Sequence, residues 1–139
     1  MIDACRIIEL PRFADARGSL GVIEAGVHTS FAIKRVYYLY DVPSGQKRGS
    51  HAHLALHQLI VAMSGSVEVV LDDGRQKQRF RLERPDQGLY ICPMIWRRLE
   101  NFSPAAVCVV LASEHFQEDD YIHDYADFVL RASAQHAEP

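Results

Sequence analysis

The chain has 139 residues, of which 48% are hydrophobic and 24% are charged, and its formal net charge is −3. This length favours one domain over 1–139, with a disordered tail at 133–139. The slightly acidic balance argues against nucleic-acid binding, which needs a basic surface. No apolar run reaches the roughly 20 residues of a membrane helix, and the N-terminus lacks the charged and apolar regions of a signal peptide, so we expect a cytoplasmic protein.

Short apolar runs separated by turns predict an all-β domain. Apart from the strand that carries two histidines, described below, the expected strands cover 7–10, 20–24, 31–41, 59–63, 67–71, 76–82, 89–92, 96–102 and 105–112. Asp73-Gly74 predicts a hairpin between two of them, and Pro11 ends the first because proline donates no hydrogen bond to a ladder. This spacing of strands and turns is typical of a closed or sandwiched β architecture.

The strand predicted over 31–41 mixes polar and apolar residues on both faces. Arg35, Tyr37 and Leu39 share one face, and Tyr38 and Tyr40 lie on the other. We expect such a strand to be covered on one side and to line a cavity or an interface on the other.

Only the C-terminus has a helical pattern. Ile122, Tyr125 and Phe128 fall near one helical stripe. The pair Asp119-Asp120 precedes this stripe and is expected to cap the helix.

Two histidines two residues apart, His51 and His53, are the centre of the predicted site. Side chains alternate between the two faces of a strand, so both imidazoles point to the same side. His57 has the same parity and is able to face the same space. Imidazole titrates near neutral pH and both takes and returns protons. The pattern therefore predicts a site for proton transfer.

The histidine segment resembles the first cupin motif, which begins with a glycine and contains two histidines and a glutamate. Gly45 and five further residues precede His51, while Gln58 stands where the glutamate would be. In the second cupin motif, Arg97 occupies the position of the third histidine. A cupin metal site needs neutral imidazoles and a carboxylate. Gln58 has no negative charge and Arg97 has no lone pair, so we predict no metal and a pocket for an anionic ligand.

Eight blocks spread over the chain carry a closer resemblance. They are Arg17–Leu20, Phe31–Tyr38, Arg48–His53, Leu71–Gly74, Gly88–Tyr90, Pro93–Trp96, Val110–Ser113 and Asp119–Ile122. Together they resemble the dTDP-sugar 3,4-ketoisomerases, cupin-fold enzymes of the WxcM-like group. The resemblance implies a small cupin-type β-barrel, or jelly roll, with a short C-terminal helix.

The same resemblance implies a substrate and a reaction. The substrate would be dTDP-4-keto-6-deoxyglucose and the product a dTDP-3-keto-6-deoxyhexose, formed through an enediol without a metal or other cofactor. The product would feed an aminotransferase that makes 3-amino sugars for surface polysaccharide or glycoprotein. The resemblance also implies a homodimer with exchanged N-terminal strands.

Three residues are assigned catalytic roles by the resemblance. His51 is the leading candidate for the general base at carbon 3. His53 would act on the sugar oxygens or return a proton to carbon 4. Tyr37 would form a hydrogen bond with a sugar oxygen or with the enediolate.

Five more residues are expected to bind the substrate. Arg17 and Arg48 would hold the pyrophosphate through charge-assisted hydrogen bonds, and Arg35 is a further candidate for ligand contact. Trp96 would either form a wall of the pocket or pack as an aromatic residue of the core. Arg97 stands where this group often has a histidine, and it would either change the configuration at carbon 4 or stabilise an enediolate oxygen.

Three other functions remain open from the residues. The chain could be a metal-dependent cupin such as a dioxygenase, or a cupin that binds a nucleotide sugar without catalysis. It could also be an epimerase of a dTDP-keto-sugar, which shares the enolisation step.

Overall fold

The computed structural model describes residues 1–137 and has the predicted all-β architecture with one C-terminal helix. Strands β1 to β12 span Arg6–Glu9, Arg12–Asp15, Gly18–Gly21, Arg35–Leu39, Arg48–His53, Gln58–Ser64, Val67–Asp72, Lys77–Leu82, Gln87–Ile91, Trp96–Glu100, Val107–Ala112 and Tyr121–Ile122. Helix α1 spans Tyr125–Ala137, and short 3₁₀ helices span Ile2–Ala4 and Glu118–Asp120. None of the helices described is long and apolar enough to cross a membrane.

Two antiparallel sheets enclose the core. Their strand orders are β1-β9-β6-β11-β4 and β12-β5-β10-β7-β8, and the hairpin β2-β3 stands apart from both. Ile60 and Val110 of the first sheet and Val69, Leu71 and Leu99 of the second are all buried in one apolar cluster. This two-sheet arrangement, closed by strands that alternate between the sheets, is the jelly roll expected from the sequence.

The central strand β6 is buried on both faces. Leu59 and Val61 point away from the main core, yet both are fully buried under a second apolar cluster that includes Ile23 and Phe31. The chain that precedes β4 therefore covers the outside of the first sheet. This cover explains why 59–63 reads as a continuous apolar run rather than an alternating one.

Five predicted strands are shorter in the structure than in the sequence analysis, and three of them, expected over 76–82, 96–102 and 105–112, lose only one or two end residues. The strand expected over 31–41 is confined to Arg35–Leu39, and the one expected over 20–24 is Gly18–Gly21, paired with the unpredicted β2. The residues between them form the covering segment, which contacts the sheet through side chains.

The C-terminal helix also begins later than predicted. Asp124 caps it, since its Oδ2 accepts the backbone N–H of Asp127 at 3.0 Å, whereas Asp120 lies in the preceding 3₁₀ helix. The helix continues through Ala137, so the prediction of a disordered tail is wrong for 133–137. The remaining predicted tail, 138–139, lies outside the described residues.

Candidate active site

A cavity of about 350 Å³ lies between the two sheets, with walls from β4, β5, β6, β10 and β11. Five of the eight predicted site residues line it: Arg35, Tyr37, Arg48, His51 and Arg97. On β4 the residues at 35, 37 and 39 are partly buried, while those at 36 and 38 are exposed. The alternation read from the sequence therefore directs Arg35 and Tyr37 into the cavity, as predicted.

The two histidine rings meet edge to face at the end of β5, with His53 behind His51 as seen from the cavity. Their Nε2 atoms are 3.1 Å apart, and the ring planes are perpendicular. His51 lines the cavity, whereas His53 is 1% exposed and forms a 2.9 Å contact from Nδ1 to Oδ2 of Asp120. Both imidazoles lie on one side of β5, as the two-residue spacing predicts, but only His51 reaches the cavity surface.

A glycine allows the histidine strand to approach β10. Gly49 has φ +97°, a conformation that side chains with a Cβ rarely adopt, and a Cβ there would lie 3.4 Å from the carbonyl oxygen of Arg97. The β5–β10 register shifts at this point, between Arg97 and Leu99. This irregularity lets His51 pair with Arg97 in the ladder, and it holds the imidazole close to the guanidinium.

Burial and a nearby cation keep both imidazoles neutral. Desolvation, followed by the positive charge of Arg97, lowers the pKa of His51 to about 4. The same two causes lead the lowering of the pKa of His53, to which the neighbouring His51 also contributes. At neutral pH His51 therefore has a free lone pair, which is what a general base requires.

A second chain of hydrogen bonds joins Arg97, Gln58 and Tyr37 beneath the cavity. Arg97 donates from Nη1 to Oε1 of Gln58 and from Nη2 to the backbone oxygen of Ile95 at 2.9 Å. Because a guanidinium only donates, the amide nitrogen of Gln58 must face Tyr37, and it donates to the hydroxyl oxygen at 2.7 Å. The hydroxyl hydrogen of Tyr37 is left free to point into the cavity.

Burial also decides the charge state of Tyr37. Desolvation raises the pKa of this phenol, an effect only partly offset by the charges of Arg97 and Arg35. Tyr37 is therefore neutral at pH 7 and acts as a hydrogen-bond donor.

The guanidinium of Arg97 is a buried charge without a carboxylate partner. Arg97 is 2% exposed, and its Nε has no hydrogen-bond partner. Among the ion pairs within residues 1–137, none involves Arg35, Arg48 or Arg97. An uncompensated buried charge is unfavourable, so this cavity is electrostatically suited to an anion.

The donor set does not fit the divalent metal that many cupins hold. Gln58 and Arg97 take the positions of the glutamate and the third histidine, and they are hydrogen-bonded to each other. A guanidinium cannot ligate a cation and repels it. Within the part of the chain that the structure describes, no group of three or more histidine, cysteine or acidic side chains is arranged for a metal.

Trp96 does not line the cavity but packs in an apolar cluster, the second of the two roles considered from the sequence. Neighbouring residues of a strand face opposite sides, so directing Arg97 inward turns Trp96 outward. Its ring packs against Tyr125 and Phe128 of α1 at 5.3 and 5.8 Å between centroids. Trp96 therefore anchors the helix to the outside of the barrel.

His57 also lies outside the cavity. It follows β5 and precedes β6, which belong to different sheets, so its parity with the pair carries no meaning. Its Nδ1 is 2.7 Å from the hydroxyl of Tyr90, and it stacks on Phe31 in the outer cluster.

Arg17 is remote from the cavity within one chain. It lies in the turn between β2 and β3, its side chain is 90% exposed, and it pairs with Asp15 at 2.6 Å. The expected contact between Arg17 and a pyrophosphate thus stays a prediction.

Three contributors were missed by sequence reasoning. Asp120 contacts His53, while Tyr121 and Phe116 line the cavity mouth, with the ring of Tyr121 5.0 Å from that of His51. The block Asp119–Ile122 had been singled out for its resemblance, but its acidic pair was interpreted as a helix cap. Their separation from His53 of more than 60 residues explains the miss.

A family model described as FdtA: WxcM-like, C-terminal matches residues 3–133. The TDP-4-oxo-6-deoxy-alpha-D-glucose-3,4-oxoisomerase of Aneurinibacillus thermoaerophilus is 42% identical over 123 residues, which are 88% of each chain.

Solved structures agree with the family match. A variant of the 3,4-ketoisomerase QdtA from Thermoanaerobacterium thermosaccharolyticum, in complex with TDP-4-keto-6-deoxyglucose, has a TM-score of 0.96 at 36% identity, covering 99% of this chain and 100% of that one. A 3,4-ketoisomerase from Helicobacter canadensis has a TM-score of 0.90 at 41% identity, covering 93% and 97%. The chain therefore belongs to the FdtA (WxcM-like, C-terminal) family of sugar 3,4-ketoisomerases.

Proposed function

We propose that this chain isomerises dTDP-4-keto-6-deoxyglucose to a dTDP-3-keto-6-deoxyhexose by proton transfer through an enediol. One observation carries the proposal. The neutral imidazole of His51 lines a cavity whose buried positive charge, on Arg97, has no carboxylate partner and favours an anionic ligand. A 42% identical relative with this activity supports it.

The chemistry follows from the acidity of a hydrogen next to a ketone. His51 removes the proton on carbon 3, and the electron pair moves to the oxygen on carbon 4 to give an enediolate. Tyr37 donates a hydrogen bond to that oxygen through its free hydroxyl hydrogen, and the nearby charge of Arg97 stabilises the enediolate. The protonated histidine pair returns a proton to carbon 4, and the proton on oxygen 3 is transferred to oxygen 4, which leaves a ketone at carbon 3 and a hydroxyl at carbon 4, so atoms and charge balance.

The nucleotide part of the substrate needs cationic and aromatic contacts. Arg35 and Arg48 line the cavity and are unpaired within the described residues, so they are suited to the pyrophosphate. The guanidinium of Arg35 already lies over the rings of Tyr37 and Phe116, at 5.3 and 5.7 Å from their centroids. Arg35 is thereby held at the cavity mouth, where a diphosphate would enter.

We also propose a homodimer with exchanged N-terminal strands. All eight residues of the hairpin β2-β3 are exposed, including Phe13 and Leu20 at 64% and 57%. An isolated hairpin is marginally stable in water, so one with apolar residues exposed on it is expected to pack against another surface. The exposed face of β4, with Val36 and Tyr38, offers such an apolar surface on a second copy.

The exchange would give Arg17 a function. The turn that carries it extends from the exposed hairpin, so in a dimer it is able to approach the cavity of the other protomer. We further propose that the enzyme is cytoplasmic, because its nucleotide-linked substrate is an intracellular metabolite.

Turnover in deuterated water tests the proposed reaction. NMR of dTDP-4-keto-6-deoxyglucose incubated with the protein should show the carbonyl moving to carbon 3, with deuterium entering at carbon 4. The same spectra report the configuration at carbon 4 and reveal epimerisation if it occurs instead. His51→Asn should reduce turnover at least 10²-fold while TDP still binds, and an unchanged rate in this variant would reject His51 as the base.

A further inference from the structure

Asp120 makes three hydrogen bonds to the end of the histidine strand. Its Oδ2 is 2.9 Å from Nδ1 of His53, and its Oδ1 accepts the backbone N–H of Ala55 at 2.8 Å. Its backbone oxygen accepts the N–H of Leu54 at 2.9 Å. These bonds orient the carboxylate, which is largely shielded from solvent, toward one nitrogen at the edge of the His53 ring.

This geometry determines which nitrogen of His53 carries a hydrogen. An ionised carboxylate only accepts hydrogen bonds, so Nδ1 of His53 must donate to Asp120. The neutral ring then has its lone pair on Nε2, which is the atom 3.1 Å from Nε2 of His51. His51 must therefore donate to His53, and the hydrogen bonds run in one direction, from His51 through His53 to Asp120.

We propose that Asp120 is a positioning residue for the isomerisation, which selects the His53 tautomer and thereby the orientation of His51. The proposal rests on the proposed function and extends it to a residue that does not touch the cavity. When His51 takes a proton from the sugar, both of its nitrogens carry hydrogens, and the bond to His53 passes part of the new positive charge toward the carboxylate. Asp120 thus stabilises the imidazolium without contacting the substrate.

The variant Asp120→Asn should reverse this arrangement. Because the backbone N–H of Ala55 still needs an acceptor, the asparagine oxygen faces Ala55 and its NH₂ group faces Nδ1 of His53. His53 must then accept at Nδ1 and carry its hydrogen on Nε2, where it meets the hydrogen of His51. One of the two rings has to change tautomer or rotate, so the base is misoriented while the shape of the cavity is kept.

Kinetics of Asp120→Asn test the proposal, with Asp119→Asn as the matched control. Asp119 is the exposed neighbour in the same 3₁₀ helix. We expect Asp120→Asn to reduce kcat about 10²-fold with KM within about twofold of the parent, as expected for loss of tautomer control at a catalytic imidazole. Asp119→Asn should retain the parental kcat. A kcat for Asp120→Asn within about threefold of the parent would overturn the proposal.

A spectroscopic measurement keeps the proposal testable even if Asp120→Asn fails to fold. Nitrogen-15 NMR of the parent protein, with His51→Asn used to assign the signals, distinguishes a ring nitrogen that carries a hydrogen from one with a lone pair. We expect Nδ1 of His53 to carry the hydrogen and Nε2 to be unprotonated. The opposite tautomer would overturn the role of Asp120, whereas a parent protein that does not isomerise the sugar would overturn the proposed function alone.

Discussion

Changing Gln58 to glutamate replaces one NH₂ group with a carboxylate oxygen in the middle of the hydrogen-bonded series Arg97–Gln58–Tyr37. In the structure Gln58 donates to the hydroxyl oxygen of Tyr37 and accepts from Arg97. A carboxylate only accepts, so in Gln58→Glu the hydroxyl of Tyr37 must donate to the new side chain. Its hydrogen is thereby removed from the cavity, although no cavity-lining atom of Tyr37 is lost.

The expected loss follows from one hydrogen-bond donor. Removing a single donor to a developing oxyanion reduces kcat about 10²- to 10³-fold, and we expect this range for Gln58→Glu. The new carboxylate also offsets the charge of Arg97, the second largest cause of the low pKa of His51. The acid limb of the pH profile of kcat/KM should therefore move to higher pH, because His51 becomes easier to protonate. In Gln58→Glu the guanidinium of Arg97 gains an ionised acceptor, which limits any loss of stability. The melting temperature of this variant should therefore lie no more than about 4 °C below that of the parent.

A double-mutant cycle with Tyr37→Phe provides the decisive assay. Tyr37→Phe removes the same hydrogen directly. The kcat of the double variant should therefore lie within about threefold of the kcat of either single variant. Initial rates of carbonyl migration, followed by NMR at several pH values, measure all four proteins. Multiplicative losses in the double variant, or full activity in Gln58→Glu with an unchanged acid limb, would refute the reasoning from this hydrogen-bond chain.

Three further outcomes are expected. Arg48→Leu should weaken TDP binding about tenfold in calorimetry, because a charge-assisted phosphate contact contributes about 1.5 kcal/mol or more, whereas Arg84→Leu, on an exposed arginine paired elsewhere, should leave it unchanged. The free energy of unfolding should fall as the pH drops from 6.5 toward 4, because His51 is protonated near pH 6.5 in the unfolded chain but only near pH 4 in the folded chain. At pH 5 this difference lowers the free energy of unfolding by about 2 kcal/mol. Denaturant titrations of His51→Asn should lack this contribution. Tyr38→Asp should shift the protein toward monomers in light scattering, and a parental dimer that persists unchanged would contradict the proposed interface.

Local rules predicted much of this site. Side-chain alternation on β4 placed Arg35 and Tyr37 on the cavity face, and the two-residue spacing placed His51 and His53 on one side of β5. Both inferences depend only on the period of a strand, which any sequence displays. His57 shows the limit of the rule, because parity ends where the chain leaves the strand and crosses to the other sheet.

Sheet neighbours and long-range contacts were not predictable in the same way. Asp120 reaches His53 only because β12 pairs with β5, with Tyr121 opposite His53, across 67 residues of sequence. An acidic pair before a helical stripe is also a common capping pattern. The local sequence around Asp119 and Asp120 therefore predicts a helix cap rather than the contact between Asp120 and His53. Likewise, Trp96 and Arg97 are adjacent in sequence, and only the packing of α1 decides which of them faces outward.

Arg97 connects these separate observations. Its charge was visible in the sequence, but its effect depends on burial, because a solvent-exposed guanidinium would be screened and would barely alter a neighbouring imidazole. Buried at 2% exposure, it helps keep His51 unprotonated, fixes the orientation of Gln58 and so frees the hydrogen of Tyr37. The same buried charge attracts the enediolate that the base creates. A neutral side chain at position 97 would therefore be expected to lose the orientation of Gln58, the free hydrogen of Tyr37 and the anion site together, while the pKa of His51 rises.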